Sequence, residues 1–565
     1  MRLVDYLVDK LINYGSDQWF VLTGNGSMYL NDAMAKRSEI KYVSARNESA
    51  APMMAEAYSR LTNKVGVVCV TAGPGSTNAI PGLAEAYWDS APIIVISGQN
   101  PVNQINTKLR TYGTAGFDII PSVQSMTKYA VTVTDPLEIR FHIEKAMHLA
   151  TSGRPGPVWI DLPMDIQFAD ISPDTLVGFE NIPNEASIPI KEIEQIYNLI
   201  NKASKPLILI GHGVRIARAE DELIQLIEFL EIPIVSSRLG RDLVTDNHKL
   251  NLGQPGLKGE IYSPEILKSC DLLVSLGCRL PVQMIGDNYE NFNEDIKIVM
   301  IDIDQDEIEN HKSFINQSFN VDVKFFLQQM LFNKNLYLKN KEIDIWHKHC
   351  IGLKKENPIN KVFKKSNPID LYYFMSRIDV LAPEDTVFIT DAGSNYYVGG
   401  QVYKFNKLNQ REITAGTSAA MGLSIPLAIG SAYARPNSVI MAVTGDGSLE
   451  LNVQELKTIS FNNLNIKLFV INNGGYASMK EWQDNYFEGT RVGTGTGDTQ
   501  SEMLNLKKVA SAFDMPYLRI DDYQKIDECI LSEINKIGPV FVEVMTDENG
   551  MILLPFNNKD SSVLS

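Results

Sequence analysis

Cysteine is scarce. The 565 residues hold five, Cys69, Cys270, Cys278, Cys350 and Cys529, scattered and never in a Cys-x-x-Cys pair. That excludes a disulfide framework and leaves a reduced, cytoplasmic protein as the expectation. Long apolar runs are missing too: none approaches the ~18 residues a membrane span needs. Basic charge is in deficit, 52 Lys and Arg against 68 Asp and Glu, for a net charge of −16. This argues against nucleic acid or an anionic membrane surface as partner. The first residues, Met1-Arg2-Leu3-Val4-Asp5, lack a signal-peptide pattern. No low-complexity tract and no short-period repeat interrupts the chain.

What is present is an ordinary globular composition, 44% hydrophobic and 21% charged, with room for about three domains. Short apolar runs alternate with helical patterns. In residues 1–172 strands are expected at 18–22, 41–44, 65–70 and 93–97, and helices at 50–60 and 78–87. Such alternation predicts an α/β fold with helices covering a parallel sheet. A second block, 190–335, repeats the pattern at 206–210, 271–276 and 298–303. A lysine-rich connector at 336–366 reads as a solvated helix and linker. The third block spans 367–550, and 551–565 is a tail. The fold class expected is three doubly wound parallel-sheet domains.

The chemistry concentrates in the third block. Gly445-Asp446-Gly447-Ser448 follows one apolar run, and Ile471-Asn472-Asn473-Gly474-Gly475 follows another, with a helix-like stretch at 453–459 between them. Each motif alone is ordinarily a turn. In a strand–helix–strand unit with parallel strands, both emerge at one carboxyl edge. A carboxylate and an amide oxygen there suit a hard cation, and glycines let a diphosphate approach.

Two segments of the first block stand at comparable edges. Glu48, in Arg46-Asn47-Glu48-Ser49, lies between the 41–44 strand and the 50–60 helix. An acidic residue near a helix start is common on its own. Thr71-Ala72-Gly73-Pro74-Gly75-Ser76-Thr77-Asn78 turns from strand into helix with small residues and free N–H groups.

The spacing of Asp446 and Asn473, 27 positions apart after two strands, resembles the thiamine diphosphate enzymes. The resemblance extends over nearly the whole chain and is to the acetolactate synthase type. It implies Mg²⁺ held by Asp446, Asn473 and the Gly475 carbonyl. Gly445, Gly447, Ser448 and Tyr476 then lie around the diphosphate, and Gly73 and Asn78 against the cofactor. Met421 matches the apolar residue that bends the cofactor. Glu48 becomes the catalytic group that bonds N1′ of the aminopyrimidine and promotes loss of the thiazolium C2 proton. By the same analogy the domains are pyrimidine-binding, central Rossmann-like and diphosphate-binding, and a homo-oligomer completes each active site at a subunit interface.

The substrates implied are small: a 2-oxo acid, pyruvate first, and a second carbonyl as acceptor. Asn25, in Thr23-Gly24-Asn25-Gly26, resembles the subgroup found with surface-polysaccharide genes, some of which use a keto sugar. Trp482 and Gln483 match the element that shapes the acceptor pocket, whereas Ala477 and Ser478 do not. The alternatives are acetolactate synthase itself, a simple decarboxylase, or a non-catalytic cofactor-binding relative.

Two departures stand out. The family usually reads His-Glu-Gln where this chain has Asn47-Glu48-Ser49. It usually has Gly-x-Gln-Glu where this chain has Gly113-Thr114-Ala115-Gly116, and Ala115 cannot replace a glutamine's hydrogen bonds. In the middle block, Gly277-Cys278-Arg279 resembles the place where FAD binds, yet the Phe-Asp-Asp that should follow is absent. Gly211-His212-Gly213 falls short of a dinucleotide fingerprint. His347 and His349 are two apart and share no helix face, so with Cys350 they read as part of the solvated helix rather than a metal site.

Overall fold

The computed structural model describes residues 1–181, 187–256, 259–286, 295–495, 501–548, 550 and 552–553. Three parallel sheets follow one another along the chain. The first contains β1 (Gln18–Val21), β2 (Lys41–Ser44), β3 (Gly66–Val70), β4 (Ile93–Gln99), β5 (Tyr129–Thr132) and β6 (Val158–Pro163), in the order β2-β1-β3-β4-β6-β5. The central sheet contains β7 (Pro206–Ile210), β8 (Ile234–Ser236), β9 (Leu272–Leu276), β10 (Lys297–Asp302) and β11 (Gln317–Asn320), in the order β11-β10-β9-β7-β8. The third contains β12 (Val387–Thr390), β13 (Arg411–Thr414), β14 (Ile440–Gly445), β15 (Ile466–Asn472), β16 (Tyr517–Ile520) and β17 (Val540–Met545), in the order β13-β12-β14-β15-β17-β16. Counted from its own first strand, the third sheet has the strand order of the first. The two outer domains are one architecture used twice.

Strands β3 and β4 are buried at every position, and β14 at all but its last. Valine and isoleucine runs of this kind suit parallel strands covered on both faces. The helix expected at 78–87 runs Ile80–Trp88 and is preceded by a separate short helix, Pro74–Asn78. Pro81 has no N–H to donate, so a helix restarts more readily there than it continues.

The outer domains share a core. Helix Ala50–Thr62 of the first packs on helix Ser424–Ala434 of the third, and residues from both join one apolar cluster that includes Phe20, Met54, Leu427 and Ile440. Small residues permit the approach: a Cβ added at Gly430 would overlap the Met54 carbonyl.

The connector is less solvated than its composition suggested. Helix Lys341–Glu356 buries Ile343, Trp346 and Cys350 against the central domain. Trp346 Nε1 donates to the Pro206 carbonyl at 3.1 Å, and His349 stacks on Trp346. Lys341, Lys348 and Lys355 are exposed, while Lys354 turns inward to donate to the Asn251 carbonyl at 2.8 Å, so an amphipathic helix was hidden behind a charged sequence. Among the described residues no helix is long and apolar enough to cross a membrane.

Candidate active site

β14 and β15 are neighbours, with Gly445 opposite Ile471. Asp446 and Asn473 therefore leave one sheet edge side by side. Asp446 opens a short helix and is 2% exposed. Its Oδ1 accepts the Gly447 N–H at 2.8 Å, and its Oδ2 accepts the Gly475 N–H at 3.0 Å. Burial pushes its carboxyl up to about 6, against the pull of those amides and of Lys480. Asn473 Oδ1 is buried and accepts no hydrogen bond. A buried carboxylate and an unsatisfied amide oxygen at one strand edge are donors that a hard divalent cation satisfies. These donors fit a hard divalent cation such as Mg²⁺, which Asp446, Asn473 and the Gly475 carbonyl would hold.

The backbone around them is built from glycine for a reason. Gly475 has φ +121°, and a Cβ there would overlap the Thr494 carbonyl. A Cβ at Gly447 would overlap the Tyr476 ring. The half-buried Met421 sits between Ala419 (φ +48°) and Gly422 (φ +83°), in a turn fixed from below. There Gly422 N–H donates to Ser448 Oγ at 2.8 Å, and Ser448 Oγ donates to Asp391 Oδ2 at 2.6 Å.

Glu48 is half-buried between β2 and helix Ala50–Thr62. Its Oε2 accepts from Asn78 Nδ2 at 2.8 Å, and the same Nδ2 reaches Asn47 Oδ1 at 3.1 Å. Asn78 thus touches the glutamate itself. Gly75 lies close by, a Cβ there standing 3.4 Å from Glu48 Oε1. Gly73 has φ +61° and lies under the Ala115 carbonyl, which a Cβ would overlap.

The residues expected to shape the substrate pocket are more dispersed. Asn25 is exposed in the turn after β1, and Ala115 is exposed with φ +57°. Trp482 is 40% exposed and stacks near Tyr486, ring centres 5.3 Å apart. Gln483 is engaged with the Val492 backbone, accepting its N–H at 2.9 Å. No hydrogen bond or ring contact among the described residues joins these four to one another.

Residues 1–121 match the family model for the thiamine pyrophosphate enzyme N-terminal TPP binding domain, 193–330 that for the central domain, and 391–544 that for the C-terminal TPP binding domain. The chain is 32% identical to acetolactate synthase 1, chloroplastic, of Nicotiana tabacum, across 97% of its own length and 82% of the relative's. Identity to the chloroplastic acetolactate synthase of Arabidopsis thaliana is also 32%, with the same coverage. It is 31% to acetolactate synthase 2, chloroplastic, of Zea mays, over 97% and 86%. The chain belongs to the thiamine pyrophosphate enzymes. It is an acetolactate synthase-like enzyme of the carboligase type.

Three residues of this thiamine pyrophosphate enzyme escaped the sequence reading. Asp391, at the end of β12, accepts from Thr444, Ser448 and the Ala392 N–H, and ties the Met421 turn to the Asp446 segment. Its one sequence signal was an aspartate closing a strand before Ala-Gly. Lys480 Nζ is buried and donates to the Gly474 carbonyl at 2.7 Å, bracing the Asn473–Gly475 loop. Glu543 on β17 accepts from Asn472 Nδ2 at 2.6 Å and from Tyr517, holding the residue before Asn473.

A cavity of about 450 Å³ lies where the three domains meet, lined by Trp88, Arg154, Cys278, Arg279, Asp302 and Tyr396 among others. Burial raises the Asp302 carboxyl to about 6. The nearby glycines serve the fold: a Cβ at Gly211 would overlap the Gly277 carbonyl, where the paired strands β7 and β9 end side by side. Among the described residues no group of three or more His, Cys, Asp or Glu side chains could hold a metal ion.

Proposed function

We propose that this enzyme decarboxylates a 2-oxo acid, pyruvate first, and transfers the two-carbon unit to a second carbonyl, a nucleotide-linked keto sugar. The observation that carries the donor half is the pairing of a buried acid at Asp446 with the unsatisfied Asn473 Oδ1. Thiamine diphosphate, when bound, supplies the carbon nucleophile and electron sink at its thiazolium C2.

The chain's own residues set the conditions. Asp446, Asn473 and Gly475 would hold Mg²⁺ and, through it, the diphosphate. Glu48 holds a proton toward pyrimidine N1′. Asn78 occupies Oε2, so Oε1 is the oxygen left for that contact. Met421 would support the bound cofactor's ring system. Small side chains at Ala477 and Ser478 support an acceptor larger than pyruvate. Exposed apolar residues on segments beside the site, Met28, Leu451, Met479 and Trp482, support completion of each site by a second copy.

Acetolactate synthesis is the second reading, favoured by the relatives' activity. The three-domain cavity supports FAD as a further cofactor, with Asp302 and Arg279 as polar contacts; flavin absorbance in the supernatant after denaturation tests it. For the reaction, the protein is reconstituted with thiamine diphosphate and Mg²⁺, given pyruvate, and CO₂ is followed with and without nucleotide-linked keto sugars. Carbon transfer to the sugar supports the proposal. Acetolactate alone selects the second reading, and acetaldehyde alone a decarboxylase. Glu48→Gln is expected to abolish turnover while leaving Mg²⁺-dependent cofactor binding within about threefold.

A further inference from the structure

We infer that Glu455 is a positioning residue for Glu48, acting across the contact between the first and third domains. The inference rests on the reading of Glu48 as the group that faces the cofactor. Glu455 is fully buried, and none of the ion pairs among the described residues involves it. Its carboxylate is committed elsewhere. Oε1 accepts two consecutive backbone N–H groups, Arg46 at 2.8 Å and Asn47 at 3.0 Å, 409 and 408 residues away in sequence. Oε2 accepts from Thr458 Oγ1 at 2.7 Å.

The loop it holds has few anchors of its own. β2 ends at Ser44, the Ala45 N–H still bonds the Val21 carbonyl at 2.9 Å, and beyond it the Arg46 and Asn47 amides bond Glu455 instead of a neighbouring strand. One carboxylate oxygen, with two acceptor sites and a charge, binds adjacent amides better than a neutral side chain does.

From there the contacts run to the glutamate without a gap. Asn47 Oδ1 accepts from the Ser49 N–H at 2.8 Å and from Ser49 Oγ at 2.7 Å. It also receives Asn78 Nδ2, the same nitrogen that holds Glu48 Oε2. The departure at Asn47 and Ser49 is thereby explained: the two side chains close a turn around Glu48 that Glu455 pins from below. Glu455 also stands in the segment that begins at Asp446, so one stretch of chain carries a metal ligand and the anchor of the glutamate loop.

The test is the rate at which the thiazolium C2 proton of bound thiamine diphosphate exchanges with deuterium, read by NMR after acid quench, alongside Mg²⁺-dependent cofactor affinity. Glu455→Ala is expected to slow exchange and kcat roughly 10- to 100-fold, the scale of a displaced catalytic group, with affinity and KM within about threefold. Glu455→Gln keeps an acceptor oxygen and is expected to restore the rate to within about threefold. Should Glu455→Ala fail to fold, Asn47→Ala cuts the same route beyond the anchor, with a slowing of roughly tenfold expected. Wild-type exchange in folded Glu455→Ala, or in folded Asn47→Ala, overturns the inference. So does failure of Glu455→Gln to rescue. Wild-type exchange in Glu48→Gln overturns the underlying reading instead.

Discussion

A buried amide oxygen without a donor costs about 1–3 kcal/mol, and Asn473 Oδ1 is one. Beside it, Asp446 is held at a raised pKa by burial while two amides and Lys480 pull toward the ionised form. The cation and diphosphate are thus expected to bind together, and losing one ligand weakens both. Asp446→Asn and Asn473→Ala should each weaken Mg²⁺-dependent thiamine diphosphate binding by roughly 100-fold or more, measured by quenching of tryptophan fluorescence. An unchanged affinity in either variant counts against the ligand set. These two residues were legible because each follows its own strand, and strand ends can be read from a one-dimensional pattern. Asp391 and Glu455 were not. Each works through partners 53 to 409 residues away, a distance no local pattern spans. Ala115 was noticed for the side chain it lacks; in the structure its carbonyl over Gly73 is what makes contact.

At the level of elements, the pairing of helices Ala50–Thr62 and Ser424–Ala434 sets how the first and third domains of one chain are held against each other. Glu48 precedes one helix by two residues, and the Met421 turn leads into the other. Helices approach this closely only where side chains are small. Gly430 faces the Met54 carbonyl, and Ala57 Cβ lies 3.0 Å from the position a Gly430 Cβ would take. Gly430→Ala should therefore cost about 1–3 kcal/mol by overpacking and lower activity more than cofactor affinity. Urea denaturation and kcat measure the two effects; full activity with lost stability would show that the helix pair sets stability alone. The 50–60 helix was legible in the sequence, and its packing on Ser424–Ala434 was hidden because a helix buried on all sides has no polar face to orient it.

Across the whole molecule, the outer domains are joined by buried acids that grip loops of the opposite domain. Glu455 of the third domain holds residues 46–47 of the first. In return, Asp89 accepts the Gly416 and Thr417 N–H groups at 2.7 and 3.1 Å, and Glu85 accepts Ser418 Oγ at 2.7 Å. These grips fix the segment that leads to Met421. They also make the assembly sensitive to pH. Burial pushes the Glu85 carboxyl up to about 7; Asp89 adds repulsion, while Ser418 and Arg60 oppose the rise. A folded-state pKa above the unfolded value of 4.5 gives stability that is full below that value and is lost as pH rises through about 7. The ceiling of the loss is on the order of 3 kcal/mol, from roughly 1.4 kcal/mol per pKa unit. Glu85→Gln removes the titration while keeping an acceptor for Ser418. The variant is expected to melt at or below the wild-type temperature at pH 5 and above it at pH 8.5, with the crossover near neutrality, followed by circular dichroism in the absence of cofactor. A difference in melting temperature that stays constant across that range would place the pH response of this junction in some other group.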